Sequence, residues 1–357
     1  MRIAFPHLPQ HLVDRFPDDV PAVKGFRASL ARKWAWVNRV PVWWVGGPVA
    51  GGLPAPPVVV YHLAMRIGAF QLEEPVPELR EPHALAMLRP WIDVGNVGTL
   101  TLNWLERQYG AREVARLSRP GTFFDFTRYR PVIYFSEGQR QVVVPNAYVT
   151  CARRQEGNDF LFLHLMEPHA CSELYVDSVV RLLTTLGVQR YCLLGSMYDL
   201  VPHTRPLLIS GAAVGESAEQ QMATAGVEPS DYEGPTTIAF LVSQRMPELD
   251  IETSTMIVHL PQYTQLEEDY AGFARLMTAL SSLYGTPVDQ AAVAKSHLQN
   301  KEIDLALEKN PQLKSVVEQL EKRYDARTKA KKEGEMPRLS PEIENFLREM
   351  GKRFGQN

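Results

Sequence analysis

Asp199, His203, Thr204 and Arg205 fall within seven residues of one another, between the apolar run Tyr191–Leu194 and Pro206. A carboxylate, an imidazole and a guanidinium at that spacing can exchange a proton and hold an anionic group. Two other segments carry compatible groups. Asp93-Val-Gly-Asn-Val-Gly98 sets Asp93, Gly95, Asn96 and Gly98 between an expected strand and an expected helix, where backbone N–H groups at a helix N-terminus can cradle an anion. Its G-x-x-G spacing lacks both the dinucleotide fingerprint and the lysine of a phosphate loop. The segment therefore reads either as tight strand-to-helix packing or as ligand contact. In Glu167-Pro168-His169, Glu167 closes another strand, so Glu167 or His203 would move the proton and Arg205 would hold the anion. Arg205 could instead pair with Asp199 and keep its loop shut.

Nucleophilic chemistry has weaker support. Ser196, in Gly-Ser-Met-Tyr, lacks the second glycine of a nucleophile elbow, and Cys171 stands near His169 without an evident orienting group. Cysteines at 151, 171 and 192 have no metal-ligand spacing. No metal and no cofactor are expected, and the reading leans away from an enzyme.

These groups need elements to carry them, and the middle of the chain alternates strand and helix. Expected strands are Ala84–Ile92, Pro131–Phe135, Gln141–Val144, Tyr148–Arg153, Phe160–Met166, Tyr191–Leu194, Leu207–Ile209 and Ser254–Leu260. Expected helices are Thr99–Tyr109, Ser172–Leu186, Gly215–Ala225, one opening at Gly234 and running to Gln244, and Tyr270–Tyr284, with stops at Gly110, Gly187 and Gly285. Gly195 and Pro202 are read as ending the strand at Tyr191–Leu194. The run Phe160-Leu-Phe-Leu-His-Leu-Met166 is apolar on both faces, as in a strand covered by helices on both sides, and its lone His164 reads as a core histidine. Strand 160–166, helix 172–186 and the strand opened by Val188 form a β-α-β unit with parallel strands and a right-handed crossover. The fold class is α/β, with a mostly parallel or mixed sheet between helices. The loops 93–98, 167–169 and 199–205 would then line one pocket at one sheet edge.

The ends differ from this middle. Net charge is +4 over residues 1–64, −9 over 65–286 and +2 over 287–357, and so acidic a middle argues against nucleic acid. Residues 1–64 hold four of six tryptophans and nine prolines. Pro41, Pro48, Pro54, Pro56 and Pro57 interrupt the uncharged run from Val40 to Ala64, which argues against a membrane span. This segment is expected to be a poorly ordered extension, with Met65 as the preferred start. An odd cysteine count fits a reducing cytoplasm. Beyond Thr286, helices are expected at Val288–Gln299, Glu302–Glu308 and Gln312–Lys329, with a last one opening at Ser340. Together residues 287–357 form a charged helical tail that either packs on its own domain or clasps a neighbouring subunit.

The order Trp91-Ile-Asp-Val-Gly-Asn-Val-Gly98, Glu167-Pro168, Val201-Pro-His-Thr-Arg-Pro206, Gly234-Pro235 and Leu260-Pro-Gln-Tyr263 resembles the PAC2 family of proteasome-assembly-chaperone-like proteins, most closely its bacterial branch. The resemblance covers about residues 66–286. It implies an α/β fold similar to purine nucleoside phosphorylases for residues 65–286 and a homo-oligomer, with a trimer among the options. Eukaryotic and some archaeal members assist proteasome assembly, which implies an interaction or assembly protein with a protein partner not yet identified. Members that dock on proteasomes carry a C-terminal hydrophobic-Tyr-X tail. This sequence ends Arg353-Phe-Gly-Gln-Asn357, so direct docking is not expected. The alternative function is an enzyme or binder of a small anionic or nucleoside-like metabolite at the carboxyl edge of the sheet.

Overall fold

The computed structural model describes residues 65–136 and 138–333. The expectations for residues 1–64 and for a helix opening at Ser340 lie outside the described residues. In chain order the elements are β1 (Arg66–Ile67), β2 (Phe70–Leu72), β3 (His83–Arg89), α1 (Val97–Tyr109), β4 (Arg112–Leu117), β5 (Val132–Ser136), β6 (Gln139–Val143), β7 (Tyr148–Ala152), β8 (Phe160–Met166) and α2 (Ser172–Thr185). They continue with β9 (Arg190–Asp199), β10 (Ile209–Gly211), β11 (Ala213–Val214), α3 (Glu216–Thr224), β12 (Glu228–Pro229), α4 (Ile238–Arg245), β13 (Glu252–Pro261), α5 (Tyr270–Tyr284), α6 (Gln290–Glu308) and α7 (Pro311–Glu333).

One sheet of eleven strands runs β1-β2-β4-β7-β8-β3-β9-β13-β10-β12, with β11 beside β13. Its centre, β8-β3-β9-β13, is parallel, and antiparallel strands extend it on both sides. The fold is therefore α/β with a large mixed sheet. All seven residues of β8 are buried, as are the first six of β3, because these central strands have helices on both faces. Against one face, Leu85, Phe162, Leu194, Met256 and Val258 pack with Leu102 and Leu105 of α1 and with Phe273, Leu276 and Leu280 of α5. A two-stranded hairpin of β5 and β6, paired from Val132↔Val143 to Ser136↔Gln139, falls in a different compact unit from the sheet.

Several boundaries differ from the sequence reading. Gly195 does not end a strand: β9 runs on to Asp199. Strands β8 and β9 are parallel but not adjacent, since β3 pairs with both. β4, Arg-Glu-Val-Ala-Arg-Leu, has charged residues scattered through it and gives no clean period. Glu302 opens no new helix, because nothing between Gln299 and Glu302 breaks the backbone and α6 runs unbroken from Gln290 to Glu308.

At the amino end of this sheet, His83 of β3 lies beside Arg190 of β9 in register, and its Nδ1 is 3.2 Å from the Tyr284 hydroxyl. Burial pushes the imidazole down from 6.5 to about 4, and the Arg190 guanidinium adds to that. The folded protein thus keeps His83 neutral where the unfolded chain protonates it. Stability from this residue is complete above pH 6.5 and is lost as pH falls toward about 4, because the unfolded state binds the proton first. At about 1.4 kcal/mol per pH unit, the loss approaches roughly 3 kcal/mol. Urea unfolding at pH 7 and pH 4 should show it, and His83→Gln should remove that share of the difference.

Candidate functional site

The edge formed by the carboxyl ends of β3, β8 and β9 carries the polar groups singled out above. Asp93 is buried, and its carboxylate accepts the Thr99 amide at 3.1 Å and the Thr99 hydroxyl at 2.5 Å. Burial raises its pKa, and the Thr99 bonds oppose that only in part. Asp93 therefore closes the start of α1 from within. Gly95 adopts a left-handed φ of 60°, and its carbonyl accepts the Asp269 amide at 2.8 Å. A Cβ there would come within 2.7 Å of the Asp269 Cβ. Asn96 donates from Nδ2 to the Glu267 carbonyl at 2.8 Å. At Gly98 a Cβ would meet Asp93, Met87 and Leu194 within 3.3 Å, so this glycine serves close packing of helix on strand.

Glu167 turns elsewhere: its carboxylate accepts the Ile238 amide at the start of α4, at 3.2 Å. Burial pushes its pKa up against that bond.

The 199–205 loop faces α6 and α7. The His203 amide donates to the Tyr263 hydroxyl at 2.8 Å, so that hydroxyl donates in turn to Nδ1 at 2.7 Å. Nε2 of His203 then meets Asp304 of α6 at 3.0 Å. Arg205 grips Asp325 of α7 through two bonds of 2.8 Å and reaches Glu321 at 3.3 Å. The Asp325 carboxylate raises the guanidinium pKa further, and the same pairing lowers that of Asp325. Tyr324 donates to the Pro206 carbonyl at 2.8 Å, and Val316 and Leu320 pack with Leu200 and Tyr263. The alternative pairing of Arg205 with Asp199 does not form. Among the described residues of the expected tail, α7 packs on the 199–206 loop and Tyr263.

The expected common pocket is not what the structure builds. Asp93, Asn96, Glu167, His203 and Arg205 share an edge of the sheet, but they bond to α1, the 267–269 loop, α4, α6 and α7 respectively. A cavity of about 10 Å³ beside His203, Pro261, Asp269 and Asn300 is room for about one water, not for a nucleoside. Among the described residues, no group of three or more His, Cys, Asp or Glu side chains is placed to hold a metal ion. No helix there is long and apolar enough to cross a membrane.

Two polar residues that sequence reasoning passed over lie beside Asp199. Its Oδ2 takes the His259 Nδ1–H at 2.7 Å, and its Oδ1 accepts the Leu200 amide at 2.6 Å. Burial alone would raise the Asp199 pKa, but the bond from His259 and that amide outweigh it and hold the carboxyl below its ordinary value. The other nitrogen of His259, Nε2, is 2.7 Å from the Ser210 hydroxyl. His259 interrupts the apolar end of β13, Met-Ile-Val-His-Leu, and that polar interruption was the available signal. Ser196, by contrast, is fully buried and donates to the Val94 carbonyl at 2.5 Å. His164 meets Glu106 at 2.8 Å.

With this geometry in place, the chain can be set beside known proteins. The sequence profile of the PAC2 family matches residues 87–304. Among solved structures, a Mycobacterium tuberculosis protein of unknown function is 23% identical with a TM-score of 0.66, covering 75% of this chain and 92% of its own. A proteasome-assembly chaperone homologue from the same organism is 21% identical with a TM-score of 0.59, covering 66% and 99%. An archaeal proteasome activator from Pyrococcus furiosus is 14% identical with a TM-score of 0.53, covering 67% and 98%. At these identities the structures establish the shared fold. No curated protein matches the sequence.

Proposed function

This chain belongs to the PAC2 family, and from that premise we propose that it works as a homo-oligomeric interaction or assembly protein, chaperone-like in action. The observation that carries this reading is the family match, which runs from the end of β3 through β13 and α5 and into α6. Two structural neighbours whose names associate them with proteasome assembly or activation share the fold, and they supply the class of action. The 199–205 loop is closed on α6 and α7, and Asp93, Asn96 and Glu167 are taken up by α1, the 267–269 loop and α4, which favours a contact surface over a metabolite pocket. Residues 65–286 form the PAC2 core in this reading, and α6 and α7 beyond them form a helical strap. The three thiols are free, which fits work in the cytoplasm.

Light scattering coupled to size-exclusion chromatography tests the reading. The full chain should elute as one discrete assembly, at a multiple of its 40.3 kDa mass, across a hundredfold range of concentration. A strict monomer that captures no partner would overturn it.

A further inference from the structure

We propose that Ser210, His259 and Asp199 form a nucleophilic triad able to transfer a short acyl group from a carboxylic ester to water, an activity beyond the interaction role above. The three side chains stand on three neighbouring strands, β10, β13 and β9. His259 sits beside Met197 in the parallel pair, and Ser210 is opposite Ile257 in the antiparallel one. Strands fix the side chains more tightly than loops would.

The hydrogen bonds pass through the ring, from Ser210 Oγ to Nε2 at 2.7 Å and from Nδ1 to Asp199 Oδ2 at 2.7 Å. Facing an ionised Asp199, Nδ1 must carry the ring proton. Nε2 then presents its lone pair to Ser210, the tautomer a general base needs. The Leu200 amide on Oδ1 fixes the carboxylate in turn. Asp199 acts through His259 and is a positioning residue.

Access and charge complete the arrangement. Ser210 is half-exposed, and Met197, Leu208 and Ile257, also half-buried, fall on the same face of the sheet by register. They offer an apolar bed for a short acyl chain. Arg323 on α7 is close enough to Asp199 to favour its ionised form, and its Nη1 is buried without a hydrogen-bond partner.

In the first half-reaction, Ser210 Oγ adds to the ester carbonyl while its proton passes to His259 Nε2. The tetrahedral adduct collapses, the C–O bond to the alcohol breaks, and the departing alkoxide takes that proton. Water then adds to the acyl-serine with the same proton path, releasing the carboxylic acid and restoring Ser210. The balance is one ester and one water in, one acid and one alcohol out.

The full chain should be treated with a fluorophosphonate probe and, separately, with p-nitrophenyl acetate. Mass spectrometry is expected to place a single adduct on the peptide containing Ser210. Ser210→Ala should abolish both the adduct and the acetyl-serine. Asp199→Asn, which presents an amide where Nδ1 needs a carboxylate, should slow labelling by about 10²- to 10⁴-fold at an unchanged circular dichroism spectrum. An unlabelled wild type, an adduct mapped elsewhere, or wild-type labelling rates in Asp199→Asn would overturn the triad. Should Ser210→Ala fail to fold, the mapped adduct and the Asp199→Asn rate still decide. None of these outcomes alters the mass of the assembly, so the interaction reading stands or falls separately.

Discussion

Arg190→Ala is expected to cost the fold about 3 kcal/mol, the lower end for removing one partner of a buried ion pair, because the Glu252 left behind keeps 30% of its side chain exposed. Arg190 starts β9 between His83 of β3 and Glu252 of β13, and its side chain is only 6% exposed. Nε meets Glu252 at 3.0 Å, Nη2 bonds the same carboxylate oxygen and reaches Ser217 at 3.0 Å, and Nη1 reaches Gln221 at 2.5 Å. One guanidinium thus joins the sheet to α3, and alanine leaves the Glu252 carboxylate and the Gln221 side-chain carbonyl without that donor. A lysine provides one ammonium in place of the planar fork and should recover only part of the loss. Urea unfolding measures both variants at equilibrium, and a cost under about 1 kcal/mol for alanine would refute this account. The same variant should raise the His83 pKa, since Arg190 is the largest charge acting to lower it.

Gly195→Ala should cost about 3 kcal/mol, at the upper end for overpacking a core. A Cβ at Gly195 would lie 2.4 Å from the carbonyl oxygen of Ile92, a backbone atom, and 3.1 Å from the Ile257 side chain. The close approach is what lets the Ser196 amide donate to that carbonyl at 2.8 Å and lets Asp93 bridge to Ser196. The substitution must push the 92–96 segment away from β9, so amide exchange should quicken at residues 93–99 before it quickens elsewhere. A thermal midpoint within a degree of wild type, with unchanged exchange, would show that the segment yields at little cost.

The architecture was readable because its signals are local. Unbroken apolar runs mark β3 and β8, and Gly110 and Gly285 end α1 and α5 where expected, each in a left-handed conformation. Gly195 was misread for an equally local reason: a glycine inside an apolar run resembles a strand end until the backbone that presses on it is known. The site was readable in its parts and not in its pairings. His203 and Asp304 lie 101 positions apart, and Arg205 and Asp325 lie 120 apart. No window of sequence reports such partners. Convergence at a shared edge was the natural inference for Glu167, His203 and Arg205, but each found a nearer acceptor or donor once α4, α6 and α7 had folded over them. Ser210 and His259 stayed hidden because a serine and a histidine in separate short strands carry no spacing rule.

The contact of α7 with the 199–206 loop combines two forces that respond oppositely to dissolved salt. Its Arg205–Asp325 grip is partly exposed and weakens as counterions shorten the Debye length. The patch of Val316 and Leu320 against Leu200 and Tyr263 strengthens in kosmotropic solutions. Attachment of this helix is therefore buffered against changes in osmotic and ionic conditions, and release calls for a competitor that displaces charge and grease together.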